Sequence, residues 1–204
     1  MIDAALLPLQ HRLLAPLARW AEARGWRADQ VTLAGFGLGV LALPALAAQQ
    51  FGLALACIAL NRLADGLDGA LARRQGPTDR GAFLDIALDF AFYALVPLGF
   101  ALADPAANAL PAAALIAAFV GTGSSFLAFA VIAARRGMLA PAYPKKGFYY
   151  LGGLTEGTET IVFFIACCLF PQAFPVLAWL FAGACAVTTF TRWRIGWRLL
   201  SEET

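Results

Sequence analysis

Residues 61–89, NRLADGLDGALARRQGPTDRGAFLDIALD, carry Asp65, Asp68, Asp85 and Asp89 between long apolar runs. Carboxylates at apolar depth are costly unless their charge is compensated. Asn61, Asp65, Asp68 and Ala72 follow i, i+4, i+7 and i+11, one face of a helix, and Gly81, Asp85 and Asp89 follow i, i+4 and i+8 on the next. The short connection makes the two helices antiparallel neighbours, so their acidic faces point at one another. Like charges this close stay ionised only with cations between them. Carboxylate oxygens with no nearby Cys or His favour Mg²⁺ or Mn²⁺. Four of them hold one ion, or bridge two about 4 Å apart. Such a site suits phosphoryl transfer. Gly69 and Gly81 let a phosphate or nucleotide approach the backbone, and Arg73 adds a planar donor for phosphate oxygens. A structural alternative pairs the carboxylates with Arg62, Arg73 or Arg80, which accounts for one or two of them but not for four in register.

The surrounding composition sets the medium. The chain has 204 residues, 61% of them hydrophobic and 14% charged, with a mean hydropathy of +0.71. Soluble domains carry about 25% charged residues, so the surface of this chain faces lipid. A net charge of +2 is too small for a nucleic-acid partner. Cys57, Cys167, Cys168 and Cys185 all sit in apolar runs without ligand spacing and read as packing residues. The first thirty residues contain Asp3, His11, Arg12, Pro16 and Arg19 and show no secretory signal pattern.

In chain order, Leu6, Leu9, Leu13, Leu17 and Trp20 form one helical stripe, with His11, Arg12, Arg19 and Glu22 opposite. This is the pattern of an amphipathic helix in the membrane interface, and Pro16 predicts a break or kink in it. An ordinary cytoplasmic helix packed on the domain fits equally well. Six apolar spans follow, at about 31–48, 51–73, 81–102, 110–134, 148–170 and 174–193. Thr32, Gly35 and Gly39 share one face of the first span and permit close helix approach, as does the small-residue run GTGSS at 121–125. The turns at 49–51, 103–109 and 170–173 contain no Lys or Arg, whereas fourteen of the fifteen basic residues fall on the other side and the fifteenth, Arg62, lies inside the second span. The positive-inside rule makes the basic side cytoplasmic. The expected fold is an all-α integral membrane protein of six transmembrane helices with an N-terminal amphipathic interfacial helix. No repeat, low-complexity tract or linker divides it. One domain is expected over 1–204, with a juxtamembrane segment at 1–27 and a six-helix bundle at 28–200.

The acidic segment resembles the signature of the CDP-alcohol phosphotransferase (phosphatidyltransferase) family, D-x-x-D-G-x-x-A-R followed, after seven or eight residues, by G-x-x-x-D-x-x-x-D. The matching residues are Asp65, Asp68, Gly69, Ala72, Arg73, Gly81, Asp85 and Asp89, with seven residues between Arg73 and Gly81. Chain length and the six-span layout also look like the family. The resemblance implies a multi-pass enzyme of phospholipid biosynthesis in the inner (cytoplasmic) membrane, with both termini and the active site facing the cytoplasm. A CDP-linked lipid, usually CDP-diacylglycerol, is its donor. By resemblance Asp65, Asp68 and Asp85 hold two Mg²⁺ or Mn²⁺ ions on the donor pyrophosphate, with Asp89 a further ligand and the general base. Asp89 takes the proton of an acceptor alcohol, which attacks the phosphorus bearing diacylglycerol, and CMP leaves. Thr32, Gly69, Ala72, Arg73 and Gly81 line the nucleotide or pyrophosphate. Members are commonly homodimers. Many begin their first span with Pro-Asn-x-[apolar]-Thr, where this chain reads Ala28-Asp29-Gln30-Val31-Thr32; Thr32 is kept and Asp29 stands in place of Asn.

The acceptor is an alcohol, small or lipid. Lys145, Lys146 and Arg192 fall on the basic side, where they hold a phosphorylated acceptor or simply anchor the spans. Tyr149, Gly152, Glu156 and Glu159 follow i, i+3, i+7 and i+10 on the fifth span. That face is expected to bind acceptor hydroxyls or an amine, or else to pair with Arg62 or another arginine. Two other classes compete: an intramembrane prenyltransferase binding pyrophosphate through Asp-bridged Mg²⁺, and a non-enzymatic cation transporter. The first uses two separated Asp-rich motifs, and transporters commonly show repeated halves.

Overall fold

The computed structural model describes the backbone of residues 2–138 and 152–201, with side chains from residue 12 onward in those ranges. Every extended element among them is helical: α1 (Ile2–Ala23), α2 (Ala28–Val40), α3 (Ala42–Ala47), α4 (Phe51–Gln75), α5 (Asp79–Ala103), α6 (Pro105–Arg135), α7 (Gly157–Leu169) and α8 (Phe174–Ser201). The expected first span is helical over its whole length but interrupted at Leu41. The interruption lies three residues before Pro44, whose ring excludes a regular turn beneath it. Turn chemistry fixes the other boundaries. Gly76, at φ +94°, ends α4 in a backbone conformation that side chains rarely adopt, and Thr78 Oγ1 caps α5 by accepting from Gly81 N at 3.0 Å. Asp104 Oδ1 accepts from Ala107 N at 3.1 Å, with Pro105 in the first turn of α6.

Ala28–Ala47, Asp79–Ala103, Pro105–Arg135 and Pro171–Ser201 are long and apolar enough to cross a membrane. The chain is a helical membrane protein with those four candidate crossings among its described residues. The six expected spans are thus supported only in part. α4 is long enough at 25 residues but carries Arg62, Asp65, Asp68, Arg73 and Arg74. The fifth expected span is corrected: helix begins only at Gly157, 152–156 are not helical, and 148–151 lie outside the described residues. Gly152 and Glu156 therefore do not share a helix face with Glu159. Their local bonding favours a strap followed by a helix start.

Close packing follows the small residues. A Cβ on Gly35 would stand 2.5 Å from Ala64 Cβ, and one on Gly39 2.9 Å from both Asn61 Nδ2 and Phe92 Cδ2. Those glycines let α2 lie hard against α4 while also touching α5. α4 and α5 are not themselves among the closely packed helix pairs. Their acidic faces meet as expected, but across a cleft rather than a backbone contact. Gly121 rests near Thr189, and Gly123 against Phe90, as the small-residue reading of 121–125 predicts. Away from the cleft the helices bury an aromatic core in which Phe100 stacks on Phe174 at 4.4 Å and Phe163 on Phe181 at 4.5 Å. The four cysteines are free and buried, with Cys57, Cys167, Cys168 and Cys185 all in this core. Large apolar side chains such as Leu110, Leu180 and Phe190 stand exposed on the long helices, as a lipid-facing surface requires.

α1 runs as helix through Pro16 without the expected break. It packs on α4 through Ala18 and Ala21, leaving Leu13, Leu17 and Trp20 exposed. Leu13, Leu17 and Trp20 thus look away from the bundle, and the described packing face is Leu14, Ala18 and Ala21.

Candidate active site

The cleft between α2, α4 and α5 is lined by Thr32, Gly35, Phe36, Asn61, Arg62, Asp65, Asp68, Asp85, Leu88 and Asp89. Asp65, Asp68 and Asp85 each offer a carboxylate oxygen, and the three oxygens lie within 4.8 Å of one another. Helical spacing on α4 turns Asp65 and Asp68 to one side, and the capped start of α5 brings Asp85 up to them. Asp68 is buried, and its Oδ2 has no hydrogen-bond partner. A buried carboxylate oxygen left unmatched is expensive. Three hard oxygen donors with neither Cys nor His fit a hard divalent cation and would relieve that cost on binding it.

Asp89, the fourth signature carboxylate, is engaged differently. Its Oδ1 lies 2.7 Å from Arg62 Nη2, while Arg62 Nη1 approaches Asp65 Oδ2 at 3.6 Å. Arg62 Nε donates to Asn61 Oδ1 at 2.8 Å, and Asn61 Nδ2 donates to Gly35 O at 2.9 Å. The guanidinium also lies over Phe92 and Tyr93, at 4.8 and 5.6 Å from the ring centroids. The structural alternative is therefore realised for one arginine and two carboxylates. Arg62 was visible in the sequence as the sole basic residue inside a span, and that isolation was the available signal for its place in the site.

The remaining signature positions fall beside the cleft toward the α4–α5 turn. Gly69, Ala72, Arg73 and Gly81 are not among its lining residues. A Cβ on Gly69 would sit 3.4 Å from Arg73 Nη1, so Arg73 folds back over that glycine. A Cβ on Gly81 would stand 3.1 Å from Thr78 Oγ1 and 3.2 Å from Asp29 Oδ1. Its bareness therefore admits the start of α2. Asp29 in turn pairs with Arg80, through Nη2 and, at 2.8 Å, through Nε. The aspartate that replaces asparagine is thus matched by a cation on α5. Gln75 binds Ala28 N and Trp26 O, and Arg74 pairs with Glu22, so the same end of α4 is tied to the α1–α2 connection. Thr32 lines the cleft, its Oγ1 donating to Ala28 O at 3.1 Å.

Of the expected acceptor residues, Glu156, Glu159 and Arg192 lie outside the lining of this cleft. Lys145, Lys146 and Tyr149 lie outside the described residues. Glu156 Oε1 accepts from Gly153 N at 2.9 Å, and Glu159 Oε2 accepts from Glu156 N at 3.0 Å, the return half of a capping box. Neither glutamate lines the acidic cleft. Arg192 is buried on α8, donating through Nη1 to Thr122 O at 3.0 Å beside the Phe126 ring.

A bundle of apolar helices with a polar cleft of three convergent carboxylates defines a helical membrane protein with a candidate site for a divalent ion. A family model described as CDP-alcohol phosphatidyltransferase matches residues 26–190, and the chain belongs to that family. It is 56% identical over 192 residues to the inner membrane protein YnjF of Escherichia coli (strain K12), covering 94% of this chain and 93% of that one. Phosphatidylcholine synthase of Pseudomonas aeruginosa is 36% identical over 84 residues, 39% of this chain and 35% of its own length. Among solved structures, Mycobacterium tuberculosis phosphatidylinositol phosphate synthase (PgsA1) with CDP-DAG bound superposes with a TM-score of 0.67 at 26% identity, covering 91% of this chain and 94% of that one. The same protein with manganese and citrate gives 0.66 at 25% identity, covering 90% and 88%. The chain is accordingly a transferase of phospholipid biosynthesis.

Proposed function

We propose that this enzyme transfers a phosphatidyl group from CDP-diacylglycerol to an alcohol, releasing CMP, from a cytoplasm-facing cleft in the inner membrane. The observation that carries the reading is the convergence of Asp65, Asp68 and Asp85, with Asp68 Oδ2 buried and unmatched. The likeness to a phosphatidyltransferase solved with CDP-DAG supports the donor, and the complex of that protein with manganese supports a divalent ion.

In this reading Asp65, Asp68 and Asp85 hold Mg²⁺ or Mn²⁺, which when bound neutralises the charge of the donor pyrophosphate. Gly69, Ala72, Arg73, Gly81 and Thr32 accommodate the nucleotide side. Asp89 orients the acceptor hydroxyl and takes its proton on Oδ2, its Oδ1 being held by Arg62. The acceptor oxygen attacks the phosphorus bearing diacylglycerol, the bond from that phosphorus to CMP breaks, and CMP leaves with the electron pair. α4 and α7 complete six crossings, with α1 laid in the interface through Leu13, Leu17 and Trp20. Purified protein supplied with Mn²⁺, CDP-diacylglycerol and a panel of alcohols should release CMP, and Asp68→Ala should lower turnover by about a thousandfold or more. Retained turnover in that variant would refute the assignment.

A further inference from the structure

Arg62 is the charged residue of the cleft lining that the signature does not include. Its side chain is 16% exposed and is gripped by Asp89, Asp65, Asn61 and the faces of Phe92 and Tyr93. A guanidinium held on that many sides is a fixed charge, unlike a surface arginine that samples many rotamers. Removing one partner of such a pair leaves an uncompensated charge in a poorly solvated place. Asp65 belongs both to this pair and to the group of three carboxylates suited to a metal. Whatever cation the triad takes must therefore share Asp65 with a positive charge already in place.

We propose that Arg62 is a built-in counter-cation that makes metal loading depend on the donor, because the Arg62–Asp65–Asp89 contacts set a fixed positive charge against the Asp65–Asp68–Asp85 triad. The proposal rests on the reading of that triad as the metal site. Without donor, Arg62 offsets part of the negative charge of the cleft and weakens the hold on a divalent ion. The donor pyrophosphate brings negative charge of its own, which outweighs the guanidinium and draws the ion in. Arg62 is in this sense a positioning residue: it orients Asp89 and biases the order in which the site fills. The coupling is reciprocal, so bound metal must also raise donor affinity.

The test is titration of the detergent-solubilised full chain with Mn²⁺ alone, read by the electron paramagnetic resonance of free ion. Arg62→Gln should tighten Mn²⁺ binding about tenfold, shrink the further tightening that donor produces, and slow transfer. Arg62→Lys, which keeps the charge, should stay within about threefold of the parent. An Arg62→Gln affinity equal to or weaker than the parent overturns the proposal, since a merely structural arginine cannot improve metal binding when lost. If that variant does not fold, Arg62→Gln/Asp89→Asn removes both halves of the pair and is compared with Asp89→Asn alone; the same tightening is expected, and equality overturns the proposal. Asp68→Ala separates the two readings. If neither the parent nor Arg62→Gln binds Mn²⁺, with or without CDP-diacylglycerol, the metal site itself fails. If Asp68→Ala loses binding while Arg62→Gln leaves it unaltered, only the role of Arg62 does.

Discussion

Two polar regions interrupt this apolar bundle, and they are built on opposite terms. In the acidic cleft the carboxylates converge without a sufficient set of protein donors: Asp68 Oδ2 is buried and unmatched, and three oxygens of like charge lie within 4.8 Å. Around the strap at 152–156, threonine and glutamate side chains are turned onto backbone amides of the fold. Thr188 Oγ1 accepts from Leu154 N at 3.1 Å and Thr155 N at 3.0 Å and lies 2.9 Å from Thr155 Oγ1, and the two glutamates bond backbone amides at the start of α7. Buried polar groups in a protein are almost always bonded. The cleft gathers three carboxylates at one point, a charge for something from outside to answer, whereas the strap spends its side chains on holding backbone together.

The contrast is open to direct attack. The largest effect is expected from Asp89→Asn, which keeps the shape of the carboxylate but not its basicity. Transfer should fall by about a hundredfold or more while binding of CDP-diacylglycerol is retained. Weakened donor binding instead would make Asp89 mainly a ligand. Next comes Thr188→Val, which strips the acceptor from two backbone amides at constant volume. It should cost about 2–4 kcal/mol in stability, read as a lower melting temperature in detergent, with activity per folded molecule preserved. Loss of turnover without loss of stability would place the strap in the active site. The smallest effect belongs to Glu156→Gln, whose amide oxygen still accepts from Gly153 N. A loss below about 1 kcal/mol is expected, with the KM of every acceptor unchanged. A selective rise in one acceptor KM would restore Glu156 to the acceptor site.

The same contrast explains what could be read in advance. Asp65, Asp68, Asp85 and Asp89 were legible because spacing on a helix dictates direction, and two helices joined by a short turn leave few ways to aim four carboxylates. The partition of that set, three together and Asp89 with Arg62, was not legible. It depends on the depth at which one guanidinium is gripped by Phe92 and Tyr93 from another helix, and no period within α4 encodes that. The late start of α7 had a local signal that apolar counting overrode. Gly152-Gly153 breaks a helix, and Glu159, three residues after Glu156, is the return residue of a capping box. The break at Leu41 was likewise announced by Pro44 and lost in a run of apolar residues.

The shortness of α7 carries a mechanical consequence. Thirteen residues of helix rise about 20 Å, where the hydrocarbon layer is about 30 Å deep. The missing third is made up by a non-helical strap fastened to α8 through Thr188. Irregular backbone at such a level persists only where protein or water satisfies it. In the proposed six-crossing arrangement, α7 leaves the helical part of the bundle thinner there than the lipid around it, and the bilayer would dimple or admit solvent to meet it. A donor lipid beside α7 would then have its headgroup lowered toward the bundle, to a depth that an acceptor from the water could also reach.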